Sequence, residues 1–380
     1  MVLARAGWPN CNIVQGEKPM ISIKRRKTGP GMNRASRRSR KGRGRFIFLI
    51  LMFSVLAVGL SAQSLNFPGK TWGLSFGNSQ KFSGLRFNFR DKGVEKINGI
   101  NLTLWKPYQE NKEAVINGLS FGLLPGAARL HGIQVGLLGV AAEKTASGLN
   151  LGVIGSGSGG KLYGLNIGGL GAGAGENVTG INAAGLGLGA GENLTGFNLA
   201  GLGLGAGENV TGLNLSAGGV GAGNNLSGLT LAGLGAGAGE NLYGLTVAGL
   251  GAGAGQEIKG LIVAGIGAGA GKKITGLAAA GLGAGAPEVE GLLISGLAAG
   301  GKNLNGVFIS GGLIRLTRDG QLRGLTISSF NFLQGNLRGL SIGLVNYAYK
   351  VEKGFQLGLV NIIRNNPGWT RVLPLINTSW

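Results

Sequence analysis

The chain has 380 residues, 80 of them Gly, with a formal charge of +21 and a single cysteine. Most of the positive charge is local. Between Arg5 and Arg45 lie 13 of the 36 Lys and Arg, against Glu17 alone, so from Gln63 onward 36 − 13 = 23 basic face 15 − 1 = 14 acidic side chains. Those charges are scattered, without a basic run or interleaved aromatics, which argues against nucleic-acid binding. Cys11 lies upstream of the expected mature start and offers the exported chain no disulfide and no thiolate metal site.

Residues 1–31 carry no readable pattern, and Met32 is expected to be the natural start. Residues 32–62 read as a signal peptide. A basic stretch (Arg34, Arg37, Arg38, Arg40, Lys41, Arg43, Arg45) leads into an apolar run, Phe46 to Leu60, and Leu60-Ser61-Ala62 supplies small residues ahead of Gln63. That is the order of parts a signal peptidase reads. The run holds 15 residues, short of the roughly 20 that a retained transmembrane anchor needs, so cleavage after Ala62 is expected.

From 63 to 148 a strand-like phrase recurs at uneven spacing: Phe82-Ser83-Gly84, Ile97-Asn98-Gly99, Ile116-Asn117-Gly118 and Leu130-His131-Gly132, with charged insertions between them. These units are expected to cap one end of a repeat array, because terminal repeats are commonly atypical. From 149 to 290 the array is regular. Glycine returns at 164, 180, 196, 212, 228, 244, 260 and 276, every 16 residues, and a phrase such as Gly191-Glu192-Asn193-Leu194-Thr195-Gly196 precedes most of them. A period of 16 is not a multiple of the helical 3.6, and about a third of each unit is Gly, at a cost of roughly 1 kcal/mol per residue in a helix. The alternation in Gly212-Leu213-Asn214-Leu215 and Leu202-Gly203-Leu204-Gly205 is the period-two mark of strands.

Two all-β arrangements can hold such units. The expected one is a parallel β-solenoid of about 16-residue Gly/Ala-rich coils, with equivalent positions stacked about 4.8 Å apart. Asn166, Asn182, Asn198 and Asn214, then Thr230 and Thr246, would form one polar ladder, and Asn177, Asn193, Asn209, Asn225 and Asn241 another. Stacked amides pair with those above and below. The alternative is an antiparallel outer-membrane β-barrel with one strand per unit. Consecutive units look alike, whereas a barrel distinguishes the turns at its two rims, and few polar side chains are present to line a lumen. For the barrel speaks the aromatic terminus, Val372 to Trp380, although Pro374 interrupts it.

From 291 to 380 the spacing loosens again, at Gly291, Gly306, Gly324 and Gly339, and a terminal strand closes the chain. The phrases Gly339-Leu340-Ser341-Ile342-Gly343-Leu344-Val345-Asn346 and Phe355-Gln356-Leu357-Gly358-Leu359-Val360-Asn361, with the ending Leu373-Pro374-Leu375-Ile376-Asn377, carry a likeness. They resemble the "GLQLGLVN" repeats of a family of bacterial surface-repeat proteins known from spirochaetes and Bacteroidetes. The match covers about the last 45 residues closely, and the Gly/Ala-rich array more loosely. The resemblance implies export and a surface or outer-membrane address, and it supplies no catalytic residues.

Candidate chemistry is sparse. Gly155-Ser156-Gly157-Ser158-Gly159-Gly160 matches loose phosphate-loop patterns, but no helix follows to aim its N-terminus at a phosphate. His131 is the sole histidine and has no partner base or ligand at useful spacing. Glu176, Glu192, Glu208 and Glu240 would line one edge of a solenoid, with a single carboxylate per coil, sparse for Ca²⁺. Asn-x-Ser/Thr sequons at Asn101, Asn177, Asn193, Asn209, Asn214, Asn225 and Asn377 read as turn chemistry rather than glycan sites. The expectation is therefore an exported, non-enzymatic envelope protein of structural or adhesive role, with a pore or anchor as the alternative. It is expected to have no catalytic, cofactor or metal site. Its partner would be a surface ligand or envelope component, with outer-membrane association as one option and no nucleic acid.

Overall fold

A computed structural model describes residues 64–108 and 113–379. The leader read across 1–62 and the terminal Trp380 lie outside the described residues. The fold is all-β: a parallel β-solenoid of about 17 coils, 16 residues apart through the regular part. Each regular coil is a long strand of eight residues and a short one of four, as in Asn193–Ala200 and Gly203–Ala206, joined by two-residue bends. Long strands pair only with long strands and short with short, in parallel and in register: Gly196 lies opposite Gly180 and Gly212, and Gly203 opposite Gly187 and Gly219. The antiparallel barrel is thereby ruled out, because each unit returns to its own starting edge instead of reversing direction.

The bends obey the same ladder. Leu202 N donates to Leu186 O (2.8 Å) and Glu208 N to Glu192 O (2.8 Å). Backbone groups that loops usually leave to water are thus paired coil to coil. The glycine column is needed for this stacking. From Gly73 to Gly354 its members take φ between 97° and 140°, a region that L side chains avoid. A Cβ on Gly196 would also be driven into the Gly180 carbonyl oxygen.

The core is narrow and layered. Leu162, Val178, Leu194, Val210, Leu226, Leu242, Ile258 and Ile274 form a fully buried column under the long strands. Ala200 and its equivalents face the short-strand column of Ala172, Leu188, Leu204, Val220 and Ala236. Alanine on facing strands brings the two sheets close, which fits a coil of only sixteen residues.

Each end is closed by a reversed strand. Leu65–Pro68 pairs antiparallel with Trp72–Phe76, and Val372–Thr378 pairs antiparallel with Val345–Ile363. Pro68 and Pro374 each sit on one of these terminal strands. Proline is tolerated at a sheet edge, where its missing N–H breaks no ladder and discourages further pairing. Pro374, an interruption in a barrel strand, is thus at home in a capping one. No helix among the described residues is long and apolar enough to cross a membrane.

Candidate functional surface

Side chains along each coil alternate between core and solvent, and the outward ones sort into three strips. The first is polar. Asn193 Nδ2 donates to Asn177 Oδ1 (2.9 Å), and the pattern repeats through Asn209, Asn225 and Asn241. Beside it run the carboxylates. Glu176 lies 3.9 Å from Lys161, and Glu192 accepts a hydrogen bond from Asn177. Asn224 and Gln256 take the equivalent places one coil after Glu208 and Glu240. The four glutamates therefore share one edge, as expected, without converging on a point.

The second strip is apolar. Counting from the column glycine, positions one, three and six residues on carry Leu, Ile, Val or Phe in nearly every coil. In one coil these are Phe197, Leu199 and Leu202, which are 37%, 43% and 65% exposed. The third strip is bare backbone, the outward glycines of the short strands. A Cβ on Gly187, Gly203 or Gly221 would meet nothing within 4 Å. Neither strip was placed by sequence reasoning. The signal was the recurrence itself, but inward Leu194 and outward Leu199 are the same residue type.

Inside, the first predicted ladder is present and fully buried. Asn150 donates to Asn166 (2.7 Å), Asn166 to Asn182 (2.7 Å), Asn182 to Asn198 (2.8 Å) and Asn198 to Asn214 (2.8 Å). Asn214 hands over to Thr230 Oγ1, and beyond Thr246 the column becomes apolar at Ile262, Ala278, Leu293 and Phe308. Its amides donate toward the C-terminus, whereas those of the outer ladder donate toward the N-terminus. Asn101, Asn214 and Asn377 are buried within hydrogen-bond networks, so these sequons serve packing. A third ladder, not foreseen, joins Asn331, Asn346 and Asn361 at 2.8 Å per step. It bears on the Gly-Leu-Val-Asn phrase: a Cβ on Gly343 or Gly358 would strike first the carbonyl oxygen of Ser328 or Gly343 and then the amide of the ladder asparagine, Asn331 or Asn346.

His131 Nδ1 lies 2.6 Å from Ser147 Oγ on the neighbouring coil, within the polar strip. Gly155–Ser158 is a short strand in the solenoid wall, not a loop leading into a helix. Among the described residues no three His, Cys, Asp or Glu lie close enough to hold a metal. One buried charge pair escaped the sequence reading. Arg86 Nη1 donates to Asp91 Oδ1 (2.6 Å) and to Asn101 Oδ1 (2.7 Å), while Asp91 also accepts from Asn88 and Thr103. Arg86 stands in the column that Asn fills elsewhere, which reads Ser75, Arg86, Asn101, Ser120, Gln134 and Asn150 in register. Surface pairs are simpler: hydrogen bonding to Arg338 holds the Glu352 carboxyl below its ordinary range.

No protein-family model, no curated protein and no solved structure matches the chain.

Proposed function

We propose that the chain is an exported, non-enzymatic repeat protein of a bacterial envelope, with a structural or adhesive role exercised through its long lateral surface. The observation that carries this reading is the persistence of three chemically distinct strips along the stacked coils. Such a surface gains binding energy from extended contact rather than from a pocket that encloses a small molecule. The basic-then-apolar order of residues 32–62 supports export, and the phrases around Asn346 and Asn361 support a surface address by resemblance. The partner would be an envelope component or a surface ligand.

The test is fractionation of a Gram-negative host expressing the full chain, with protease treatment of intact cells and mass spectrometry of the purified product. A mature N-terminus at Gln63 and digestion on intact cells are expected. Recovery from the cytoplasm with residues 32–62 still attached would contradict the reading.

A further inference from the structure

The apolar strip runs without a charged residue through the regular coils. From Leu165 to Leu292 the first column reads Leu165, Ile181, Phe197, Leu213, Leu229, Leu245, Leu261, Leu277 and Leu292. At about 4.8 Å per coil and about 3.3 Å per residue, these nine coils present on the order of 700 Å² of apolar face. Monomeric proteins rarely expose a contiguous apolar patch beyond about 300–600 Å². No described segment of the chain covers it.

We propose that this face is covered by a second copy of the same chain, packed leucine face to leucine face. Its area approaches the roughly 800 Å² per partner of a standard-size protein interface. The face is also rigid and ruled at the inter-coil spacing, and another copy is the surface that carries the same ruling, so columns can interdigitate along their whole length. Its borders favour a protein over a bilayer. A lipid surface is gripped by Lys and Arg at the rim of the apolar face. Here one rim is chiefly hydroxyl, with Thr179, Thr195, Thr211, Ser227 and Thr275; its one cation over these coils, Lys259, is paired with Glu257 at 2.6 Å, and the other rim is bare glycine strand. A hydroxyl rim around an apolar centre is the anatomy of a protein interface. Two copies related by a two-fold axis use the same patch twice, which closes the assembly. The inference stands apart from the functional reading, since it requires neither export nor an envelope partner.

The experiment is sedimentation equilibrium of the purified full chain in detergent-free buffer, with circular dichroism as the check on folding. Leu199→Lys with Leu231→Lys places charge in the face, and Glu192→Lys with Glu208→Lys places the same side chains on the carboxylate edge, outside the face and its rim. The proposal expects a dimer for the parent chain, a dissociation constant raised by about 100-fold or more for the leucine pair, and no change for the glutamate pair. Should the lysine pair lose its β signal, Leu199→Thr with Leu231→Thr gives the same reading with β propensity kept. A monomeric parent chain, or a dimer indifferent to the leucine substitutions, overturns the proposal. So does flotation of the parent with phosphatidylcholine vesicles that the leucine pair abolishes.

Discussion

In the long strand of a regular coil, Gly196 holds φ at 118°, and an added methyl would collide with the carbonyl of the coil beneath. In the short strand of the same coil, Gly203 has ordinary extended backbone and open space where a Cβ would stand. The two regions carry the same residue under different demands. The long strand needs glycine to let coils stack. Nothing inside the described chain needs it at Gly203, where glycine only weakens a strand. Composition alone therefore does not reveal what glycine is for. In the long strand it is a requirement of the backbone, and in the short strand it is a property of the surface.

Substitution separates the two demands. Gly196→Ala combines a disfavoured φ with overpacking against backbone, and is expected to cost about 4 kcal/mol, read as a lowered denaturant midpoint with an unchanged slope. Next in size is Asn198→Asp, which sets a carboxylate among neutral buried amides, at an expected cost of about 3 kcal/mol at pH 7. Burial raises the carboxyl pKa of that variant in the folded state above its unfolded value of about 3.9. The penalty is therefore full at neutral pH and shrinks as pH falls toward that value, so the gap to the parent chain should narrow in acid. A gap that stays constant from pH 7 to pH 4 would discount the amide ladder. Exposed pairs in the parent have the opposite sign. Glu352, held low by Arg338, contributes above its unfolded pKa and loses that contribution as pH falls through its folded pKa.

Gly203→Ala should stabilise by about 0.4–1 kcal/mol, through the lower entropy of the unfolded chain. A loss comparable to that of Gly196→Ala would erase the distinction between the strands. The smallest effect is expected for Glu192→Gln on the polar edge, within about 0.5 kcal/mol in thermal melts.

Much of this architecture was legible in the sequence, because the repeat prints local geometry many times over. The column from Gly164 to Gly276 and the two asparagine ladders follow from register at a fixed period. The ambiguity between solenoid and barrel was different in kind. Strand direction between neighbouring units is a non-local property, and a sixteen-residue phrase with a turn fits either. The surface was less legible still. Leu194 and Leu199 differ in burial, not in type, and the glycine at position 196 shifts the backbone between them, so alternation alone did not say which leucine faces water. Arg86 and Asp91 pair across a bend in an irregular coil, where no repeat signals the contact. Asn346 and Asn361 stand in the phrases that carry the resemblance, and only their stacking on each other and on Asn331 gives those phrases a physical cause.

The central claim is that consecutive units stack in parallel with every position in register. Two cysteine pairs in a Cys11→Ser chain test it directly: Thr195→Cys with Thr211→Cys, and Leu199→Cys with Leu215→Cys. In the solenoid, residues 195 and 211 are neighbours, and so are 199 and 215, within the Cα separation of about 4.4–6.8 Å that a disulfide accepts. In an antiparallel pair, partner numbers share one sum, and 195 + 211 = 406 differs from 199 + 215 = 414. Cross-linking of both pairs under mild oxidation is the predicted result. Cross-linking of one pair alone would contradict the parallel stack.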